Sequence, residues 1–403
     1  MRALPLKLSA TCRNIRYPNL LRVVNYQDVI ERGYFGSDYC LIYEQNDINM
    51  DAILSMDWGG IICPNDQLVS AAHELPVICN LDLPDAVASG DIISVSESRI
   101  DILYRKASSS NMLFVTERCN HNCIMCSQPP KDVDDSWRIE ESKAIVNLMD
   151  DNDSQVLGIS GGEPSILGGS FVELIKHCKD FIPNTYLHIL TNGTSFSEKK
   201  EVERLSSLKH EKIIWGVPIF GSTPQLHDFH TQVEGSFDRT IHGLYNLALF
   251  NQVIELRVVL TKMVLQNIQD IAEFVQRNLP FVDSIALMGV EPTGYTRLNH
   301  QVVWCDIDSY SEQLKDAVNH MRACSVNVLL YNLPLCKLPE ELHDIAVQSI
   351  SDWKNVFVDD CFPCSKKDKC SGFFQSINAK FVKNTVVPFI QKTEKVYDEK
   401  GII

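Results

Sequence analysis

The sequence predicts an α/β protein whose centre is a run of parallel strand–helix units, flanked by a small N-terminal α/β domain and a C-terminal cysteine-rich domain. Two observations carry this. From residue 112 onward, short β-branched apolar runs alternate with amphipathic segments at helical spacing. Seven of the 14 cysteines fall into two tight sets, one at each end of that alternating region.

The strands are expected at 113–116, 156–160, 186–191, 213–220, 255–261 and 284–290, with helices between them at 140–149, 171–180, 237–250 and 268–278. Alternation of this length implies parallel β/α units, about six of them. Six are too few to close an eight-unit barrel, so a partial barrel or an open curved sheet follows. In either, ligands sit at the carboxyl ends of the strands.

The first hundred residues read differently. Asp57-Trp-Gly-Gly-Ile-Ile62, an apolar helix near 68–75, Pro76-Val-Ile78 and Gly90-Asp-Ile-Ile-Ser-Val95 suggest a small α/β domain. Their order is similar to that of the swivelling phosphohistidine domains, without a recognisable catalytic histidine, so only the fold would carry over. The other reading is an unrelated structural or substrate-docking domain. The expected boundaries are 1–108, 109–325 and 326–403. The last segment should open with a strand at 328–331, pass through a helix near 339–353 and end in a cysteine cluster and a C-terminal helix.

The composition is that of a globular chain of 403 residues, 45% hydrophobic, with a net charge of −15. An acidic chain without basic blocks argues against nucleic acid and anionic membrane as partners. The apolar start is too short and broken for a signal peptide, and no stretch approaches the roughly 20 apolar residues of a membrane span. A cytoplasmic location is expected. In such a chain, grouped cysteines point to metal or cluster ligation rather than disulfides. The other seven (Cys12, Cys40, Cys63, Cys79, Cys178, Cys305, Cys324) are read as small core residues.

Leu113-Phe-Val-Thr-Glu-Arg-Cys119-Asn-His-Asn-Cys123-Ile-Met-Cys126 places three thiols on one loop directly after a predicted strand. Three cysteines do not complete a structural zinc site, and they leave one iron of a [4Fe–4S] cube without a protein ligand. A zinc site borrowing a fourth ligand is the other reading. The Cys-x3-Cys-x2-Cys spacing resembles that of the radical S-adenosylmethionine (SAM) superfamily, whose fold is a partial (β/α)6 barrel. The resemblance implies that Cys119, Cys123 and Cys126 hold a [4Fe–4S] cluster that binds SAM at its open iron and cleaves it to a 5′-deoxyadenosyl radical. Two further motifs match, each after a strand. Gly161-Gly162-Glu163-Pro164 is similar to the motif that binds the SAM amino group, with the glycines permitting close approach and the Glu carboxylate pairing with the ammonium. Thr191-Asn192-Gly193 implies a contact of Asn192 near the methionyl and ribose parts.

The chain departs from the family at Met125, where an aromatic residue usually packs near the adenine, and after the fourth strand, where Ser222 is the candidate contact. His227 and His230 read as a helix-start cap or surface histidines rather than catalytic groups.

Cys361-x2-Cys364-x5-Cys370, with Cys336 as a fourth thiolate, resembles the auxiliary-cluster domains that follow the barrel in radical SAM peptide maturases, in the single-cluster form because position 374 is Phe. A four-thiolate zinc site is the alternative. The fullest resemblance is to the His-Xaa-Ser system radical SAM maturases. It rests on residues 115–130, 158–164, Met288-Gly-Val-Glu-Pro-Thr-Gly294, Tyr331-Asn-Leu-Pro-Leu-Cys336 and Gln348-Ser-Ile-Ser-Asp-Trp353. It implies a ribosomally made peptide containing His-Xaa-Ser repeats as substrate, a second radical SAM maturase as partner, and a flavodoxin- or ferredoxin-like electron donor. Glu291 and Tyr295, after the sixth strand, either position substrate or cap the loop. No general base or radical donor is identifiable. A small-metabolite substrate and a non-catalytic metal scaffold are the competing functions.

Overall fold

The computed structural model describes residues 5–15, 20–43, 55–63, 75–348, 355–377 and 386–390. The chain divides into two compact units. The first comprises Met1–Asn122, Pro130–Pro218 and Gly235–Glu255, and the second Cys123–Pro129, Ile219–Glu234 and Leu256–Ile403.

The first unit begins with an eight-stranded sheet: β1 (Lys7–Ser9), β2 (Thr11–Arg13), β3 (Leu20–Val24), β4 (Gly36–Ile42), β5 (Trp58–Ile62), β6 (Val77–Cys79), β7 (Ile92–Ser96) and β8 (Arg99–Tyr104). Their order is β1-β8-β7-β3-β4-β5-β6-β2. Strands β3 to β6 are parallel, and the rest pair antiparallel. Only Ala10 separates β1 from β2, yet they lie at opposite edges, so the sheet must curl until one bent segment serves both. That leaves little edge open to foreign strands. The domain is therefore richer in strand than expected. Its described helix, Tyr26–Arg32, carries an Asn25 capping box. The helix expected near 68–75 lies almost wholly outside the described residues.

Further along the first unit, β9 (Met112–Phe114), β10 (Val156–Ser160), β11 (Tyr186–Leu190) and β12 (Ile213–Pro218) form a parallel array. The predicted strands are present: β10 has the expected bounds, and β9, β11 and β12 end one or two residues early. Leu157, Ile159, Leu187, Ile189 and Trp215 turn their side chains away from solvent. Phe171 of helix Gly169–Phe181 and Phe196 meet the Trp215 ring edge-on, at centroid distances of 6.5 and 5.0 Å. Strand β13 (Val253–Val259) leads from the first unit into the second.

In the second unit, β14 (Ser284–Met288), β15 (Asn327–Tyr331) and the short β16 (Ala346–Val347) are parallel. Helices Ile268–Asn278 and Ser311–Ala323 supply Ile271, Val275, Leu314, Val318 and Met321 to its core. The helix expected near 339–353 is corrected. A 3-10 turn at Glu340–Ile345 runs straight into β16, because Pro334 and Pro339 start new turns and the chain must return to the sheet. The expected C-terminal helix and most of the 348–353 motif lie outside the described residues. Among the described residues, no helix is long and apolar enough to cross a membrane.

One buried ion cluster ties the N-terminal sheet to the rest of the first unit. Arg22 on β3 is 2% exposed and donates to Leu148 O at 2.6 Å, Asp153 Oδ2 at 2.7 Å and Asp150 Oδ2 at 2.9 Å. Its guanidinium also faces the Tyr34 ring. Burial opposes ionisation of Asp153, but the Arg22 hydrogen bond and charge outweigh it and hold the carboxyl below the usual carboxylate range. A depressed carboxyl contributes stability above its unfolded value, about pH 4, and loses it as pH falls through the lower folded value. Arg22→Met should therefore cost about 3–5 kcal/mol at pH 7. It should also flatten the decline of thermal stability below about pH 4. Melting curves of variant and wild type that coincide from pH 7 downward would refute this role.

Candidate functional site

Each half of the cysteine loop is held by its own unit. In the first unit, the chain leaving β9 has no regular secondary structure, so its backbone groups need partners elsewhere. Val115 N–H donates to Ser160 O, while Thr116 O and Arg118 O accept from Gly162 N–H and Glu163 N–H at 2.7 and 2.9 Å. This contact explains the glycine pair. A Cβ on Gly162 would stand 2.1 Å from Arg118 O and 3.0 Å from Cys119 Cβ, and one on Gly161 would stand 2.5 Å from Thr116 O. The glycines were expected to let a ligand approach; what they admit here is the cysteine-bearing backbone itself.

Asp135, 2% exposed, completes this half. Its carboxylate accepts from Thr116 Oγ1 at 3.0 Å, Arg118 Nε at 3.2 Å and, by a short bond, the Glu117 N–H. Burial opposes its ionisation, yet these donors and the Arg118 charge hold its carboxyl below the usual range. Cys119 is half-buried, and its Sγ accepts from His121 N–H at 3.4 Å.

Glu163 is 1% exposed. Its Oε1 accepts from Thr191 Oγ1 at 2.6 Å and Ser165 N–H at 3.0 Å, and its Oε2 from Asn192 N–H at 2.5 Å. Burial raises its pKa, and these bonds pull the other way. The carboxyl thus pins the Thr191-Asn192-Gly193 turn as well as standing where an ammonium partner was expected. Pro164 is buried at the start of the 3-10 turn Pro164–Leu167. Asn192 is half-buried: its Oδ1 accepts from Thr194 N–H and Oγ1, and its Nδ2 donates to Asn120 Oδ1 at 2.7 Å. Asn120 in turn donates to Thr194 Oγ1 at 3.1 Å. So the residue after Cys119 is tied to the turn after β11.

In the second unit, Cys123 and Cys126 lie on a loop gripped by the segment after β14. Asn299 Nδ2 donates to Ile124 O at 2.8 Å, Thr296 Oγ1 to Met125 O at 3.1 Å and Tyr295 N–H to Cys126 O at 2.8 Å. Gly294 sits at φ +55°, and a Cβ there would be 2.3 Å from Cys126 O. Ile124 N–H donates to His230 O at 2.9 Å. Tyr295, for which two roles were open, holds the loop by its backbone. Met125 is buried. Ser222 is half-buried after the strand-like segment that follows β12.

The reading of His227 and His230 is corrected: both are buried on helix Pro224–Thr231, whose start is capped by Thr223. His230 Nδ1 donates to Leu226 O at 2.7 Å, which leaves Nε2 to accept from Thr261 Oγ1 at 2.8 Å. Burial lowers its pKa, which favours the neutral ring with its proton on Nδ1.

The second cysteine set comes together in the second unit. Cys336, Cys361, Cys364 and Cys370 line one pocket, with Leu335, Phe357, Phe373 and Phe389 among its walls. Cys336 lies on the turn Leu335–Lys337, Cys361 ends Asp359–Cys361, and Cys370 follows Lys367–Lys369. Cys370 Sγ accepts from Leu335 N–H and Gly372 N–H, both at 3.4 Å. Burial pushes the Cys336 thiol up to about 11, with Cys370 and Cys361 adding to it. Among the described residues, no three His, Cys, Asp or Glu side chains converge on a single metal-ion position. Of the cysteines read as core residues, Cys40, Cys63, Cys79 and Cys178 are buried, while Cys12, Cys305 and Cys324 are half-buried.

Sequence reasoning missed Asn120, Asp135, Thr296 and Asn299. Asn120 could have been suspected from its place between Cys119 and Cys123. Asp135, Thr296 and Asn299 act through loops distant in sequence, and nothing local marks them.

A thiol triad on a loop after the first of several parallel strands, with a Gly-Gly-Glu turn packed on it, suits a cluster with one open iron: the donor set is all-thiol and one ligand short of closure. Residues 113–276 match the Radical SAM superfamily, so that segment carries a radical SAM domain, and that superfamily binds a [4Fe–4S] cluster and SAM. Fe-coproporphyrin III synthase of Methanosarcina barkeri is 29% identical over 160 residues, 39% of this chain and 37% of that protein. The antilisterial bacteriocin subtilosin biosynthesis protein AlbA of Bacillus subtilis is 26% identical over 163 residues, 40% of this chain and 35% of that protein. The chain thus spans little more than a third of either relative. Among solved structures, SuiB of Streptococcus suis bound to S-adenosylmethionine overlays with a TM-score of 0.46 at 18% identity, covering 54% of this chain and 49% of that one.

Gly162→Ala should displace Arg118 and Cys119, destabilise the fold by about 1–3 kcal/mol and reduce the iron retained after anaerobic reconstitution. Wild-type iron content in that variant would show that the glycine is not what seats the loop.

Proposed function

We propose that this chain reductively cleaves SAM and modifies a ribosomally made peptide, of the His-Xaa-Ser type, by hydrogen abstraction. The observation that carries the peptide reading is the second thiol set, four cysteines around one pocket with the spacing of peptide-maturase auxiliary domains. The likeness to a bacteriocin biosynthesis protein supports it. The domain division 1–108, 109–325 and 326–403 belongs to the same reading.

In this assignment Cys119, Cys123 and Cys126 hold the SAM-binding cluster. Gly161, Gly162, Glu163, Pro164, Asn192, Met125 and Ser222 are assigned to SAM binding. Bound there, the reduced cluster and SAM supply a 5′-deoxyadenosyl radical. Glu163 and Asn192 orient their turns, and the buried Met125 gives an apolar surface suited to the adenine. Cys336, Cys361, Cys364 and Cys370 hold an auxiliary [4Fe–4S] cluster, where the amide donors to Cys370 would tune its potential. Zinc is the alternative occupant. A flavodoxin- or ferredoxin-like protein supplies electrons in the cytoplasm, and a second radical SAM maturase acts on the same peptide. A small-metabolite substrate is the second reading, favoured by the likeness to Fe-coproporphyrin III synthase.

Anaerobically reconstituted protein should bind about eight irons. With reductant it should form 5′-deoxyadenosine, and it should change the mass of a His-Xaa-Ser repeat peptide. Cys361→Ala with Cys364→Ala should halve the iron, keep SAM cleavage and abolish the peptide product. No 5′-deoxyadenosine from wild type would sink the enzyme reading; four irons plus one zinc would replace the auxiliary cluster.

A further inference from the structure

A second cavity in the second unit, of about 120 Å³, belongs to none of these assignments. Its floor is formed by the residues that follow three strands: Leu260 after β13, Gly289 and Val290 after β14, and Asn332 and Leu333 after β15. That is the strand end where parallel α/β sheets present their reactive groups. The same loop that contributes Gly289 and Val290 goes on, at Gly294 and Tyr295, to grip the Cys126 carbonyl. Phe373 and Phe374, which follow Cys370 closely, also line it, and Pro334 and Phe373 line this cavity and the four-cysteine pocket alike. The cavity is therefore lined both by the loop that seats Cys123 and Cys126 and by the segment that carries Cys370.

Its chemistry is selective. Trp304 and Ile307 add to the apolar walls. Lys337, 7% exposed, is paired with Asp306 at 3.3 Å and, by a short bond, with Asp308, so its charge is already answered. Asp306 and Lys337 line the cavity, and with Asp308 on the same ammonium the set carries one net negative charge. An apolar cavity of about 150 Å³ holds a benzene ring, so this one matches a branched aliphatic side chain or a single ring. An indole exceeds it, and an acidic side chain meets both a desolvation cost and a like charge.

We propose that this cavity is the subsite that receives an uncharged, bulky apolar side chain of the peptide substrate, holding the reacting backbone between the two cysteine-bearing loops. The inference rests on the peptide reading above and adds to it a residue class and a location. Ile307 and Val290 give the subsite apolar surface, and Asp306, paired with Lys337, disfavours acids in it.

The test uses the full-length reconstituted protein, SAM, a chemical reductant and hexapeptides identical except at one central position. Wild type should bind and modify peptides with leucine, isoleucine or phenylalanine there at least roughly tenfold better than those with alanine, and should reject aspartate and glutamate. Ile307→Trp, which fills the cavity from outside the loop that seats Cys126, should abolish that preference without reducing 5′-deoxyadenosine formed in the absence of peptide. Ile307→Ala, which enlarges it, should shift the preference towards tryptophan. A preference that neither variant moves, or one for acidic residues, overturns the subsite while SAM cleavage persists. Absence of SAM cleavage in wild type instead overturns the reading beneath it.

Discussion

The structure depends on seating an irregular loop whose thiols must face outward while its backbone stays satisfied. Residues 115–127 run through no helix or strand, so their amides and carbonyls have to be answered by other loops. The upstream half uses the Gly161-Gly162 turn and the Asp135 carboxylate. The downstream half uses the backbone carbonyl of His230 and the side chains of Thr296 and Asn299. These partners are polar and distant in sequence, and they answer most of the loop's backbone groups without its thiols.

This arrangement explains why the residues after the strands matter more than the strands. Glu163 is fully engaged by Thr191, Ser165 and Asn192, so one buried carboxyl locks two turns together. The cost of burying it is offset by three donors, as it must be for a group with no exposed surface. In the second unit the segment from Gly289 to Asn299 does two things at once. Its first residues line a cavity and its last ones hold the Cys126 loop.

The two cysteine sets differ in how they are built. Cys119, Cys123 and Cys126 sit on one loop and are organised by partners around it. Cys336, Cys361, Cys364 and Cys370 come from three separate turns that share a pocket with several aromatic rings. The first pattern has three thiols on one loop, whereas the second gathers four around a shared pocket.

Much of this was determined by the sequence alone. Alternating strand and helix periodicities placed the parallel strands within a few residues, because each has a continuous apolar face that no loop mimics. Cysteine spacing within a single loop is likewise a local property, and so is a Gly-Gly-Glu turn. Tertiary structure decided what has no local signature. It made the glycine pair a seat for Arg118 and Cys119, buried His227 and His230 where the sequence suggested a cap or a surface, and brought Cys336 to cysteines more than twenty residues away. It also joined β1 and β2 to opposite edges of one sheet across a single alanine. Periodicity reports which face of an element is apolar. Which distant loop will answer a bare carbonyl, or which turns will share a cavity, is settled only when the chain has packed.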